Sequence, residues 1–336
     1  MYFKNSLPVV IFAITPVAVI LLMIASILYG AKNITVDVIW DSIFAFDPDS
    51  VDHQIIMTSR LPRVVGAMLI GAFLAISGAL MQGMTRNYLA SPAIMGVSDG
   101  SVFAVTLFMV FIPTADSNWY IFSSLIGSAV GAAIVFGLAW IIPHGLSPVR
   151  LAILGTIIGT FLSGTAEAIA AYFQVSQSIS FWYNARLHQM DPELIKLSIP
   201  FAIVGLMLAL GVSKSISILS LGEEIATGLG LRSWIIKALT MLAVVILTGI
   251  SVALAGKVAF VGLIIPHIAR FISRSSDYRW IVPVSGALGG VFLALCDILS
   301  RFINYPFETP VGVVTALIGV PFFLYLIKTR GGERHA

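Results

Sequence analysis

Long apolar stretches recur along the whole of this 336-residue chain and limit what it can fold into. Residues 64–85, for example, run V-V-G-A-M-L-I-G-A-F-L-A-I-S-G-A-L-M-Q-G-M-T without one charged side chain. A run of about twenty apolar residues can cross a bilayer as a helix, in which every backbone polar group is satisfied internally. Only 10% of the residues are charged, against about a quarter in soluble domains. The sequence therefore predicts an all-α, polytopic membrane protein.

Apolar stretches of this kind predict about ten transmembrane helices in a single domain, residues 1–336. The predicted spans are 8–30, 61–84, 92–113, 119–142, 151–173, 195–213, 236–254, 258–272, 280–300 and 309–327. The first lacks a small-x-small cleavage site, which favours a retained helix over a signal peptide. An even number of spans places both termini on one side. Most Lys and Arg residues lie on that side as well, which predicts cytoplasmic termini in a cell membrane.

Chemistry-bearing motifs are missing from the sequence. It has no H-E-x-x-H pair, no D-D-x-x-D pattern and no G-x-x-x-x-G-K-[ST] loop for a nucleotide. Its single cysteine, Cys296, rules out a disulfide framework or a cysteine metal cluster within the chain. The net charge of +3 is accounted for by membrane topology and gives no reason to expect nucleic acid. We expect a transport subunit rather than an enzyme, with no metal or cofactor of its own.

Of the ionisable side chains within the predicted spans, four are candidates for functional groups at membrane depth, where such groups are expensive. Asp297 and Arg301 are four residues apart on one helix face, so they form either an internal ion pair or part of a functional site. Glu167 either lines a wet cavity, has a buried partner, or is protonated. His267 is interpreted as a structural histidine. Asp99 is the fourth such group.

Three arginines run against the charge bias of the predicted topology. Arg60, Arg63 and Arg301 all face outward, where they serve either as interface anchors or as contacts for a soluble partner. On the opposite side, residues 214–236 are predicted to form two short amphipathic helices. Glu223 and Glu224 disfavour a helix lying on lipid headgroups, so this segment is interpreted as a docking face for another protein.

Four stretches resemble the FecCD-type permeases of binding-protein-dependent ABC importers for iron-siderophores, haem and vitamin B12. The resemblance covers nearly the whole chain in order and spacing. The stretches are R-L-P-R-V-V-G-A-M-L-I-G-A-F-L-A-I-S-G-A-L-M-Q-G-M-T-R-N-Y-L-A-S-P-A-I-M-G-V-S-D-G (60–100), L-G-E-E-I-A-T-G-L-G-L (221–231), K-V-A-F-V-G-L-I-I-P-H-I-A-R (257–270) and P-V-G-V-V-T-A-L-I-G-V-P-F-F (310–323).

The resemblance implies a type II ABC importer permease fold that pairs with a second permease, a paralogue or itself. Two ATPase subunits would carry ATP and Mg²⁺, and an extracellular substrate-binding lipoprotein would deliver the iron-siderophore complex. The matching positions imply a role for each of three groups of residues. These are docking of the binding protein by Arg60, Arg63 and Arg301; ATPase coupling by Leu221, Gly222, Glu223, Glu224, Ala226, Gly228 and Gly230; and a cytoplasmic gate at Leu146, Ser147 and Pro148.

Small and hydroxyl side chains on the fifth span suit a path that passes a bulky complex without holding it tightly. We assign Ser163, Thr165 and Glu167 to this translocation path. Arg186 and Asp99 depart from the family pattern, which fits one half of a heterodimer. The likeness is greatest to Gram-positive catecholate permeases of the bacillibactin type. The alternatives are vitamin B12 or haem as the substrate, or a secondary transporter or channel for a bulky metal chelate.

Overall fold

The computed structural model describes residues 6–30, 32, 34–93, 95–113, 118–142, 148–183, 187–305 and 307–331. Over these residues the chain forms fourteen α-helices. They are α1 (Ser6–Leu28), α2 (Val36–Phe44), α3 (Val51–Ile55), α4 (Leu61–Thr85), α5 (Val97–Phe111), α6 (Trp119–Ile141), α7 (Pro148–Tyr172), α8 (Ser176–Tyr183), α9 (Pro192–Leu219), α10 (Glu223–Gly228), α11 (Ser233–Ala255), α12 (Val261–Ser273), α13 (Tyr278–Phe302) and α14 (Val311–Gly331). A π-helical turn, Ile56–Arg60, joins α3 to α4, and a 3₁₀ turn, Leu187–Gln189, precedes α9.

Ten of these helices coincide with the ten predicted spans, and the all-helical prediction is confirmed. Within the described residues, seven helical stretches are long and apolar enough to cross a membrane. The other three predicted spans correspond to the shorter apolar helices Val97–Phe111, Val261–Ser273 and Val311–Leu326.

The segment 214–236 differs from its prediction. α9 continues to Leu219, so the first of the two expected short helices is the end of α9, and α10 alone is a separate short helix. The polar residues from Ser213 onward mark a change in polarity along the helix rather than its end. Ser217 illustrates this, because its hydroxyl donates to the Asp277 carboxylate (2.9 Å). Hydropathy locates the apolar part of a helix, whereas the helix itself ends where its hydrogen bonds end.

The eighth predicted span, 258–272, begins three residues too early. α12 starts at Val261, directly after Phe260, whose φ of 68° lies in the left-handed region. Residues 257–260 are therefore non-helical although they lie between two apolar helices. Backbone of this kind is tolerated at membrane depth only where it is buried in protein or lines a cavity. The second condition holds here, since Lys257 and Ala259 line a cavity described below.

α4 lies at the centre of the bundle and packs against α9, α11, α12 and α13. The apolar part of its helical stretch is 78% buried, whereas that of α1 is 6% buried and lies at the periphery. α4 and α12 approach most closely at Gly78, where an added Cβ would lie 1.8 Å from the Gly262 carbonyl oxygen. Small residues at such crossings allow the backbone contact that drives helix association in lipid.

The path of α4 defines two ends of the bundle. Arg60 and Arg63 lie at its start, and Arg301 lies nearby on the last turn of α13, so we call this the arginine end. Near the other end of α4, Gly83 packs against Ile216 of α9 and Tyr278 of α13. α10 follows α9 at this end, which we call the α10 end.

Candidate functional site

A buried network of charges occupies the arginine end. The Arg63 guanidinium donates to both oxygens of Asp297 (Nε to Oδ1 2.9 Å, Nε to Oδ2 3.1 Å), although the two residues are 234 positions apart. Its Nη1 also donates to Glu308 Oε1 (2.7 Å). Asp297 accepts a further hydrogen bond from Arg301 one helical turn away. The internal ion pair, which was one of the two alternatives for Asp297 and Arg301, is therefore present, and Arg63 joins it.

Further hydrogen bonds donated by Arg301 and Arg60 tie α1 to the bundle. Arg301 Nη1 donates to the carbonyl oxygens of Ser26 (2.7 Å) and Tyr29 (2.8 Å) at the end of α1. Arg60 donates to the carbonyl oxygens of Ile27 and Lys32 in the same region. These carbonyls lie at or just past a helix end and have few intrahelical donors available.

The members of this network differ in how far they are buried. We call them the arginine cluster, which consists of Arg60, Arg63, Arg301, Asp297 and Glu308. The three arginines are each only 7–8% exposed, and Asp297 is 1% exposed. The Glu308 side chain is 40% exposed and lies 3.9 Å from the His188 imidazole. The residues predicted to dock a binding protein are thus held by intramolecular partners, and a carboxylate is the exposed charge of the cluster.

A cavity of about 660 Å³ opens between α7, α8, α14 and the non-helical residues before α12. Ser163 and Glu167 of the predicted translocation path line it, together with Lys257. Thr165 is not among the described residues that line it, and its hydroxyl donates back to the Phe161 carbonyl (2.7 Å) on an exposed part of α7. The helix period explains this difference, because positions 163 and 167 share a face that position 165 does not.

Two helices and the non-helical segment 257–260 meet in a polar contact at this cavity. The Lys257 ammonium forms an ion pair with Asp99 of α5 and donates to the Ser163 hydroxyl of α7 (2.9 Å). Ser163 in turn donates to Asp99 Oδ1 (2.8 Å). The Asp99 carboxylate lies against Gly159, where an added Cβ would be 2.3 Å from Oδ2. The glycine leaves room for the carboxylate, and Glu167 lies one turn further along α7.

At the α10 end, apolar side chains point away from the bundle. Leu221, Ile225 and Leu229 are 65%, 52% and 67% exposed and follow one another at four-residue spacing. Ala226, on the opposite face of α10, is fully buried. Gly228 and Gly230 have no heavy atom of another residue within 4 Å of the site of an added Cβ. This spacing forms an apolar stripe, which together with its polar surroundings is typical of a protein docking face.

The two predicted coupling glutamates have different environments. Both oxygens of Glu223 accept from the Lys237 ammonium of α11 (2.7 and 2.8 Å), which ties α10 to the bundle. Glu224 is exposed on the first turn of α10. Gly222, just before α10, has a φ of 137° and lies beside the Arg86 guanidinium. The pairing of Glu223 makes it a structural contact of this segment as well as a candidate coupling residue.

Some predicted residues fall outside the part of the chain that the structure describes. Of the predicted gate, Leu146 and Ser147 lie there, and Pro148 begins α7. Arg186 also lies outside the described residues.

Sequence reasoning missed Lys257 and Glu308 as site residues. Lys257 lies one residue before the eighth predicted span, and Glu308 lies between the ninth and tenth predicted spans. For Lys257 a signal was available, since a lysine between two apolar helices must find a partner or water. For Glu308 no local signal exists, because its partner Arg63 is 245 positions away.

Within the described residues, seven helices long enough to span a membrane and three shorter apolar helices define a polytopic membrane protein, and it has a cavity at α7 and α14. The chain belongs to the FecCD transport family, whose sequence model matches residues 18–329.

Individual relatives and a solved structure are similar over nearly the whole chain. The iron-uptake system permease FeuB of Bacillus subtilis is 56% identical over 326 residues, covering 97% of each chain. The iron(3+)-hydroxamate import permease FhuB of the same species is 48% identical, covering 90% of this chain and 79% of the relative. A metal-chelate type ABC transporter solved in an inward-facing conformation is 26% identical, with a TM-score of 0.82, and the match covers 96% of this chain and 99% of the other.

Proposed function

We propose that this chain is the transmembrane permease subunit of a binding-protein-dependent ABC importer that moves iron-siderophore complexes into the cytoplasm. The observation that carries this proposal is the family match over residues 18–329, supported by a relative named as an iron-uptake permease that is 56% identical. Energy comes from ATP hydrolysis on partner subunits, which bind ATP and Mg²⁺. This chain holds no cofactor and catalyses no reaction.

The α10 end is the contact for the ATPase. Its apolar stripe, Leu221, Ile225 and Leu229, is exposed and ready to insert into a complementary cleft. Burial of such side chains is the main source of affinity in a protein interface, whereas Glu224 sets orientation. The Glu223–Lys237 pair holds α10 against α11, so a movement of the ATPase is passed to the bundle rather than lost in a loose loop.

The cavity between α7 and α14 is part of the translocation path, with the gate at the start of α7. The polar part of its lining is supplied by Ser163, Glu167, Ser176, Ser180 and Lys257, and the rest is small or apolar. A path of this kind passes a bulky complex without retaining it, while affinity resides in the external receptor. The path is completed by a second permease, which we expect to be a paralogue, as Asp99 departs from the family pattern.

The arginine end faces outward and receives the substrate-binding lipoprotein, so that both termini are cytoplasmic. The positive-inside bias supports this orientation. Three arginines in one cluster supply the positive charge that carboxylates on the receptor require, and electrostatic complementarity of this kind steers docking.

Uptake by whole cells tests the substrate class. A strain that lacks this gene is compared with its parent and with a strain carrying a restored copy. Radioiron uptake is measured from a ferric catecholate, a ferric hydroxamate and haem, and labelled vitamin B12 is measured in parallel. We expect the deletion to abolish uptake of one ferric siderophore class, with the catecholate favoured. Unchanged uptake of both siderophores, with loss of haem or vitamin B12, contradicts the proposed substrate.

A secondary transporter or channel is the second candidate function. It is favoured by the ionisable groups at the cavity, Lys257, Asp99 and Glu167, because such groups mark ion pathways in membrane proteins. This candidate predicts flux without ATP or a binding protein, which a flux assay decides.

A further inference from the structure

The arginine cluster carries a feature that simple docking by exposed arginines does not require. Arg63 is 9% exposed at its side chain, and its outward-facing Nη1 is occupied by Glu308 of the loop between α13 and α14. An acidic residue that approaches from solvent therefore meets a carboxylate before it meets the guanidinium. The first charge that such a partner meets therefore has the same sign as its own, although the cluster as a whole has three arginines against two carboxylates.

From this geometry we infer that Glu308 is an internal placeholder for a carboxylate of the substrate-binding protein. In the unliganded permease it holds Arg63, and on docking the receptor's carboxylate takes its position. The inference rests on the proposed function and deepens it by naming the residue that must leave for docking to occur.

The two carboxylate partners of Arg63 differ in a way that suits only one of them to exchange. Asp297 is 1% exposed and also bonds Arg301, so its removal would leave the buried Arg301 without its ion-pair partner and Arg63 with Glu308 alone. Glu308 is 40% exposed and bonds through one oxygen to Nη1, with its other oxygen near His188. Water competes for the partly exposed Glu308 carboxylate, so this pair is weaker than the fully buried pair between Arg63 and Asp297. Exchange of Glu308 for another carboxylate is therefore nearly balanced in energy.

The position of Glu308 also connects docking to the cavity. It lies two residues before Pro310, and Pro310, Gly312 and Val313 at the start of α14 line the cavity. The loop is held on both sides by backbone hydrogen bonds, from Phe307 to Asn304 (2.8 Å) and from Thr309 to Ser300 (3.0 Å). A displaced Glu308 side chain therefore acts on a loop that continues directly into the cavity wall.

The test measures receptor affinity for the Glu308→Gln variant of the full permease–ATPase complex in nanodiscs. The probe is the soluble substrate-binding protein of the Bacillus subtilis iron-uptake system to which the 56% identical relative belongs. Glutamine keeps the size of the side chain and removes its charge. We expect affinity to rise about two- to fivefold, because docking no longer has to break the ion pair with the partly exposed Glu308.

Glu193→Gln is the matched control. Glu193 lies at the start of α9, next to the arginine end, and is also an exposed glutamate paired with a lysine, Lys196 (2.7 Å). The Glu193→Gln substitution removes one negative charge, as Glu308→Gln does, but it frees no arginine. Receptor affinity should therefore stay within the error of the wild-type value. An equal rise in both variants would show that net charge alone is responsible, which overturns the inference.

The remaining outcomes distinguish a failure of this inference from a failure of the proposed function. Weaker docking of Glu308→Gln would mean that Glu308 itself contacts the receptor, and unchanged docking would mean that Arg63 is not used. Both overturn the placeholder and leave the importer intact. Failure of the wild type to bind the probe in any salt concentration, while binding its ATPase, counts instead against the proposed receptor-dependent function.

Discussion

The two ends of the bundle present their candidate docking residues in opposite states. At the α10 end Leu221, Ile225 and Leu229 are more than half exposed, and nothing in the described chain must move before a partner binds. At the arginine end Arg60, Arg63 and Arg301 are more than 90% buried and hydrogen-bonded internally. A permanently attached partner suits the first state, and a partner that arrives and leaves in each cycle suits the second.

This difference shows that a sequence motif and a formed binding surface are separate properties. Both ends carry residues that match the family pattern, but at one end the residues are available and at the other they stabilise the fold. Predictions based on the two ends can therefore separate stability from docking, and they follow in order of expected effect.

The largest effect is expected for Asp297→Asn at the arginine end. It leaves Arg63 and Arg301 buried without a full counter-charge, and loss of one partner from a buried pair costs about 3–5 kcal/mol of unfolding free energy. Denaturant unfolding of the purified protein in mixed micelles measures it. Glu193→Gln, at an exposed pair, should change less than about 1 kcal/mol. Similar unfolding curves for Asp297→Asn and the wild type would refute the structural role of the cluster.

A smaller effect, on binding alone, is expected for Ile225→Ala at the α10 end. Removing most of an isoleucine side chain from an apolar contact should weaken ATPase binding by about tenfold, with no loss of stability because the residue is exposed. Binding is measured by titrating the ATPase onto the permease in nanodiscs. Ile203→Ala, a similarly exposed isoleucine on α9, is the control and should bind normally. Equal binding by Ile225→Ala and the wild type removes α10 from the interface.

The ion pair between Lys257 and Asp99 at the cavity is less buried than the arginine cluster and more buried than the apolar stripe of the α10 end. Lys257→Met leaves the Asp99 carboxylate without its ion-pair partner, and Asp99→Asn does the reverse. The double variant should be less destabilised than the sum of the two single variants, with a coupling energy of about 0.5–3 kcal/mol. The measurement is a double-mutant cycle by denaturant unfolding. Additive effects would show that the ion pair contributes no net stability.

The smallest effect is expected for Glu223→Gln, which weakens the contact between α10 and α11. The Glu223–Lys237 pair is partly exposed, so the change in unfolding free energy should stay below about 1 kcal/mol. Transport per ATP hydrolysed should fall, whereas ATPase binding should not. Glu193→Gln, at the exposed glutamate–lysine pair on α9 and remote from α10, is the control and should leave the coupling ratio unchanged. A normal coupling ratio in Glu223→Gln would show that this pair does not transmit movement.

The transmembrane helices were predictable because their signal is local. An apolar run such as 64–85 is sufficient to place α4, and the i, i+4 spacing of Asp297 and Arg301 is sufficient to pair them. The end of α9 was misplaced, since polarity changes at Ser213 six residues before the helix ends at Leu219. The start of α12 was misplaced because a phenylalanine in the sequence gives no sign of a left-handed backbone. Phe260 adopts this conformation, and α12 begins only after it.

The charge networks were not predictable, because they depend on how distant segments pack. Arg63 meets Asp297 and Glu308 only once α4, α13 and the loop after it are assembled. Lys257 meets Asp99 only because Gly159 of α7 leaves space for the carboxylate. The sequence identified several of these residues as unusual for a membrane segment but did not identify their partners.

The most direct test of the importer is transport into proteoliposomes. The permease is reconstituted with its second permease and its ATPase, the receptor loaded with a ferric siderophore is added outside, and radioiron inside the vesicles is counted with and without enclosed ATP. The account predicts uptake only when receptor, ATPase and ATP are all present, and none by this chain alone. Uptake by the chain alone, without ATP or receptor, would contradict it and establish a secondary transporter or channel.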